Sequence, residues 1–395
     1  MAFKTANNNP SMTADGIPYI WTSNGGDVTT TATLITTLND PLLTSQDRFG
    51  GRVAVGYGRV AIAAYGSNSS AGQVYLYDQT GTLLKTITSP NSASYAYFGS
   101  SVSIGSGRLV ISQPYSSTPR VYVYDLNGNL LTTISKSESA FGASISVGSG
   151  KIVVGSFYNN IGQAYIYDLN GNLLSTIVDP NNTVDDFFGG AVAAGAGRIV
   201  FSSLNYPGTS SYPYIGRAYV YDLNGNLITT LSDPENTNKD YFGQSVAIGS
   251  GRIIIGAYGA DINSYVGKGR VYIYDLNGNL INILYGTPGV YGGTQFGYSV
   301  AVGSGRIIVG ANFSSVQLSA ADAGGIFIYD LDGNFIQSIF DPAQVSADNM
   351  GTSVAIGSGV IIAGGYPSAN YQGIAYLYST PQVYTPYDAF ELTFG

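Results

Sequence analysis

Twenty-four carboxylates and sixteen cationic side chains make up the charged chemistry of this 395-residue chain, which has no His and no Cys. Without His there is no Ser-His-Asp triad, and the commonest transition-metal ligand is missing. Without Cys there is no disulfide, thiolate nucleophile or thiolate metal site. Much of the remaining charge is spaced. Asp78, Asp125, Asp168, Asp222, Asp275 and Asp330 each close a Tyr-rich segment that follows a basic residue: Arg59, Arg108, Lys151, Arg198, Arg252 or Arg306. This pattern reads either as a ring of charge for a polyvalent ligand or as an ion pair repeated inside each unit. The joint loss of both charges, at Val360 and Ser379, favours the ion pair.

A second set couples Asp-Pro to another Asp seven positions on: Asp40 with Asp47, Asp179 with Asp186, Asp233 with Asp240, and Asp341 with Asp348. Oxygen ligands from close loops can hold calcium. Asp before Pro also makes ordinary turns, and a following Asp can cap backbone amides, so turn formation is expected here and calcium is the alternative. The other acids form no recurring pair suited to glycosidase work. Gly249-Ser-Gly251 lies in a turn rather than at a strand-to-helix junction, which argues against phosphate binding. No catalytic residue is nominated and no enzymatic activity is expected.

The aromatic residues are more suggestive. The chain has 33 Tyr. Some form Tyr-x-Tyr pairs, such as Tyr219 and Tyr221, expected to pack inside a sheet. Others fall in loops of irregular length: Tyr65, Tyr115, Tyr158, Tyr206, Tyr212, Tyr214, Tyr258, Tyr265, Tyr366 and Tyr371 in one class, and Tyr95, Tyr97, Tyr241, Tyr285 and Tyr291 in another. Tyr mixed with Ser, Gly and Asn on variable loops is a composition suited to binding. The competing reading is that large loops need aromatic anchors in order to fold.

The elements that must position these residues repeat. Phe-Gly recurs at Phe49, Phe98, Phe141, Phe188, Phe242 and Phe296, with Met350-Gly351 as a degraded seventh copy. Each unit holds four short segments rich in Val, Ile and Tyr and bounded by Gly, Asn or Asp, the signature of strands. Asp-Leu-Asn-Gly-Asn at 125–129, 168–172, 222–226 and 275–279 predicts a type I′ hairpin between the third and fourth strands. Gly-Ser-Gly predicts a tight turn between the first and second. In the first strand a large residue (Val53, Val102, Ile145, Val192, Val246, Val300 or Val354) precedes Ala or Ser in every copy. A large residue should therefore face a small one between neighbouring sheets.

The fold class expected is all-β: a seven-bladed β-propeller of four-stranded antiparallel blades. The last unit stops after its third strand, while Thr33–Leu38, ahead of the first Phe-Gly, matches a fourth strand. The N-terminal strand should therefore complete the last blade and close the ring. Strand direction then puts both irregular loop classes on one face and the short turns on the other. Residues 1–31 read as an N-terminal docking arm, 32–379 as the propeller and 380–395 as a C-terminal tail. Trp21, Tyr384, Tyr387 and Phe390 are the candidate docking residues, and both ends should leave opposite the variable face.

Phe-Gly followed by a Ser-Val-Ala-like strand and then an Ile-x-Val-Gly-Ala-like strand resembles the FG-GAP repeat, over roughly residues 32–379. The resemblance implies a seven-bladed propeller like the head of integrin α subunits. It implies no calcium between the first two strands, because Gly-Ser-Gly stands where many integrin-type repeats carry an Asp-rich loop. Net charge of −8 removes the basic footprint of a nucleic-acid binder, and no apolar run is long enough to span a membrane as a helix. The N-terminal residues lack a secretory apolar segment. The function expected is a non-enzymatic structural or attachment protein in a bacteriophage virion, as tail fibre, neck appendage or capsid decoration. Its arms would meet other virion or surface-assembly proteins, and its Tyr face a host glycan or surface protein. A secreted or surface adhesin, or a glycan-binding or glycan-processing propeller, is the alternative.

Overall fold

In the computed structural model, seven four-stranded antiparallel sheets stand in a ring. The structure describes residues 31–42, 46–91, 94–157, 162–181, 187–204, 216–235, 240–261, 267–286, 294–314, 323–342, 348–366 and 373–382, with the backbone of four two-residue strands nearer the ends. Blade five shows the plan: Ser245–Gly249, Arg252–Ala257, Arg270–Asp275 and Leu280–Tyr285 run in chain order from axis to rim. In blade seven, Ser353–Gly357, Val360–Gly365 and Ile374–Ser379 are completed by Leu34–Asn39, which pairs through Ala375 with Leu38 and Tyr376 with Thr37. The closure expected from the sequence is therefore present.

Period-two alternation places each blade's apolar residues on both faces, where they meet the next blade. Phe49, Phe98, Phe141, Phe188, Phe242, Phe296 and Met350 are fully buried. Phe242 and Phe98 meet the first Tyr of the third strand edge to face, Tyr272 at 5.2 Å and Tyr122 at 5.6 Å between centroids. Small faces large as expected: Ala54 packs with Val102 and Ile104, and Ala301 with Val354 and Ile356. The first strands surround a central cavity of about 220 Å³ lined by Val, Ile, Ala and Ser.

The two hairpin types exchange roles relative to expectation. In Asp-Leu-Asn-Gly-Asn only Gly has positive φ, for example Gly278 at 89°, and the Gly278 amide bonds Asp275 O at 3.2 Å. Together with the register shift at Ile273/Tyr274, this is a type I turn with a following bulge, not type I′. Asp275 drives the choice. Its Oδ1 accepts the amides of Asn277 and Asn279, and its Oδ2 accepts Asn279 Nδ2, a three-bond cap that a two-residue loop cannot offer. The type I′ geometry belongs to Gly-Ser-Gly, where Ser250 and Gly251 have φ of 47° and 76°. In three blades the serine at this position also stitches blades: Ser106, Ser149 and Ser358 Oγ accept the amides of Gly150, Gly197 and Gly58 in the next blade.

The ion pair expected inside each blade is not formed. Arg59 and Asp78, or Arg252 and Asp275, are register partners, but the carboxylate is committed to its own turn. The guanidinium turns to the next blade: Arg59 Nε donates to Leu126 O at 2.9 Å, Arg198 Nε to Leu276 O at 3.3 Å, and Arg252 Nε to Leu331 O at 2.9 Å. In blades one, four and five the cation therefore joins blades rather than strands, while Arg108 and Arg306 bond the carbonyl of the glycine before them.

Candidate functional site

Two loop classes meet at one end of the ring, as strand direction requires. The residue before each Phe-Gly is left-handed in all seven blades: Arg48, Tyr97, Ala140, Phe187, Tyr241, Gln295 and Asn349, with φ between 51° and 58°. The bend turns the chain from the inter-blade loop down into the first strand. It also aims that side chain toward the loop that leaves the second strand. Tyr241 thus stacks on Tyr258 at 4.9 Å and 16°, and Tyr258 meets Tyr298 at 5.4 Å. In blades one and two, Tyr65 lies 6.5 Å from Tyr97, and Tyr97 lies 5.7 Å edge-on to Tyr115, which is 47% exposed.

Tyr366 links the two runs. Burial, then the neighbouring Tyr65 and Tyr298, push its hydroxyl well above the usual phenol range. An arc of tyrosines therefore runs over blades five, six, seven, one and two. Blade three presents Phe157 to Phe187 of the following inter-blade loop instead, at 5.8 Å. Of the loop tyrosines proposed from sequence, the structure brings Tyr65, Tyr97, Tyr115, Tyr241, Tyr258 and Tyr366 into this arc. Tyr158, Tyr206, Tyr212, Tyr214, Tyr265, Tyr291 and Tyr371 lie outside the described residues. Sequence reasoning missed Arg48, Arg52 and Tyr298. Their signal was positional: Arg52 stands where five of the other six blades have Ser, and Tyr298 directly follows a Phe-Gly.

The Asp-Pro acids occupy the same end but point inward. Asp40, Asp179 and Asp233 each accept the amide two residues on, from Leu42, Asn181 and Glu235, as the turn reading expects. Asp233 and Asp341 also accept buried tyrosine hydroxyls, Tyr272 and Tyr376, at 2.6 Å each. Asp240 pairs with Arg270 at 3.2 Å, the two side chains only 1% and 8% exposed. Blade seven has Ile374 where blade five has Arg270. There Asp348 is 6% exposed, and burial, then the Asp341 carboxylate, push its carboxyl up to about 6. Asp47 is buried near Tyr75, while Asp186 lies outside the described residues. Among the described residues no three carboxylates gather as a cation site.

At the opposite end the first and last described strands of the ring come together. Ser379 N donates to Thr33 O at 2.9 Å. Beyond that bond, Val28–Thr29 pairs antiparallel with Val383–Tyr384. Ala32 folds over the rim of blade six, its amide on Gln337 Oε1 at 2.8 Å and its side chain beside Ile336 and Ile339. Of the docking candidates, Tyr384 belongs to that short pairing through its backbone, and Trp21, Tyr387 and Phe390 lie outside the described residues.

Comparison with known families matches the FG-GAP repeat to residues 227–274, from the rim strand of blade four through the third strand of blade five. No curated protein matches the chain.

Proposed function

We propose that this chain, a seven-bladed propeller of FG-GAP repeats, is a non-enzymatic adhesion protein that holds its target on the tyrosine-bearing face. The observation that supports this most is the arc from Tyr241 through Tyr258, Tyr298, Tyr366, Tyr65 and Tyr97 to Tyr115. It sits on irregular loops held by a rigid, repeated frame, an arrangement that presents large aromatic area at low entropic cost. The first and last strands of the ring meet at the other face, where Ser379 N bonds Thr33 O, so an anchor there would be separate from display. That separation suits a component of a larger particle, and we propose a bacteriophage virion, with an extracellular or cell-surface adhesin as the alternative. Its partners would be assembly proteins at the termini and a host glycan or surface protein at the loops. No cofactor is invoked, and calcium is a secondary proposal at the Asp-Pro loops alone.

Immunogold electron microscopy of a lysate of the source organism tests the placement. Gold on virus particles is the expected result, and gold confined to cell surfaces or free solution overturns the virion reading. Release of reducing sugar from surface polysaccharide by the purified protein would overturn the non-enzymatic reading.

A further inference from the structure

Arg48 and Arg52 flank Phe49-Gly50 and converge on one ring, their guanidinium carbons 5.3 and 5.8 Å from the Tyr65 centroid. The left-handed backbone at Arg48, φ 55°, brings the first in, and the start of the innermost strand brings the second. Two like charges on one tyrosine repel each other, and the negative face of the ring offsets only part of that cost. Arg52 is exposed. Its Nε donates to Ser100 O at 3.1 Å and its Nη1 to Gly51 O at 2.8 Å, and among the described residues no carboxylate pairs with it. That is an unusual arrangement in a chain of net charge −8.

The surroundings are aromatic and hydroxylated. Gly51 lies between Tyr65 and Tyr366, where a Cβ would come 2.8 Å and 3.4 Å from their Cε1 atoms, so the missing side chain lets the two rings approach. Tyr298 lies beyond Tyr366 and Tyr97 beyond Tyr65.

We propose that this Arg48–Arg52 pair with its tyrosines binds a carboxylated sugar residue of an anionic surface polysaccharide. The inference rests on the adhesion reading above and names its ligand class. A guanidinium edge takes a carboxylate through two parallel N–H bonds. Tyrosine rings pack on the apolar face of a pyranose, and neutral phenols exchange hydrogen bonds with its hydroxyls. An acidic peptide would supply the charge but not the flat C–H face that this many rings accommodate.

The test is calorimetric titration of the full-length protein with oligogalacturonate and oligosialate, each also in carboxyl-reduced form. Binding is expected to at least one acidic oligosaccharide and to weaken at least about tenfold on carboxyl reduction. Arg52→Gln should lose a similar factor, and Arg52→Lys should lose less. Lys151→Gln, the same charge change at the hairpin end, should bind like wild type, and unchanged melting temperatures would place any loss in the site rather than in folding. Equal affinity for acidic and reduced sugars, no binding to either acid, or preferential binding of an Asp-rich peptide overturns the inference. Host-cell binding by the same variants separates the two readings. Cell binding that survives Arg52→Gln overturns this site while leaving adhesion standing, whereas no cell binding by the wild-type protein removes the adhesion reading itself.

Discussion

The two ends of the ring solve the same backbone problem in different ways. At the hairpin end, Asp125, Asp168, Asp222, Asp275 and Asp330 each spend both carboxylate oxygens on their own turn, repeating one set of bonds in five blades. At the loop end a left-handed residue recurs in all seven blades, yet it is Arg, Tyr, Ala, Phe, Tyr, Gln or Asn. In the first case the side chain makes the turn. In the second, burial of the Phe-Gly that follows makes the bend, and the side chain is released for other uses. Diversity concentrates where the backbone is fixed by a neighbour rather than by the residue itself.

That contrast can be tested most severely at the closure. Removing residues 1–39 deletes the rim strand of blade seven and exposes the edge of Ile374–Ser379. Loss of a single cooperative transition, or association in sedimentation, is the expected outcome, and an unchanged melt would show that closure contributes nothing. A smaller but still severe effect is expected at Gly269→Ala. A Cβ there, at φ 81°, would lie 2.0 Å from Phe296 O of the next blade, so denaturant unfolding should report a loss of about 3 kcal/mol or more.

Within the loop end, the buried ion pair should behave unlike the exposed arginine. Arg270→Leu strands the Asp240 carboxylate and should cost about 3 kcal/mol. Arg52→Gln should change stability by less than about 0.5 kcal/mol.

Asp348 offers a pH-dependent contrast within one loop class. A carboxyl raised to about 6 in the folded protein binds its proton more tightly there than when unfolded. Its effect is absent below the unfolded value near 4, and destabilisation grows as pH rises from about 4 through 6 and is complete above that. Asp348→Asn should therefore raise stability at pH 8 by about 3 kcal/mol and change little near pH 4. A flat difference across that range would mean that Asp348 ionises freely.

Much of the frame was legible in the residues. Phe-Gly spacing, alternating Val and Ala, and an orphan fourth strand at Thr33–Leu38 specify seven blades and their closure, because each feature is local and repeated. The hairpin assignment failed for an instructive reason. Asn-Gly suggests type I′, but the Asp two residues earlier offers its own oxygens to the turn and adds a bulge, while the left-handed turn falls to Gly-Ser-Gly, where Ser106 and Ser149 also bond an amide of the next blade. The intra-blade ion pair failed in the same way, since register makes Arg59 and Asp78 neighbours but the turn claims the carboxylate first.

The candidate site was legible only in outline. Tyrosine on irregular loops marked the face, but nothing in sequence order places Tyr366 beside Tyr65, or Arg48 and Arg52 on one ring. Residue periodicity alone set the number, order and closure of the blades. Which side chains meet across blades one, six and seven was decided by ring closure, because closing the circle brings residues some three hundred positions apart within ring-contact distance.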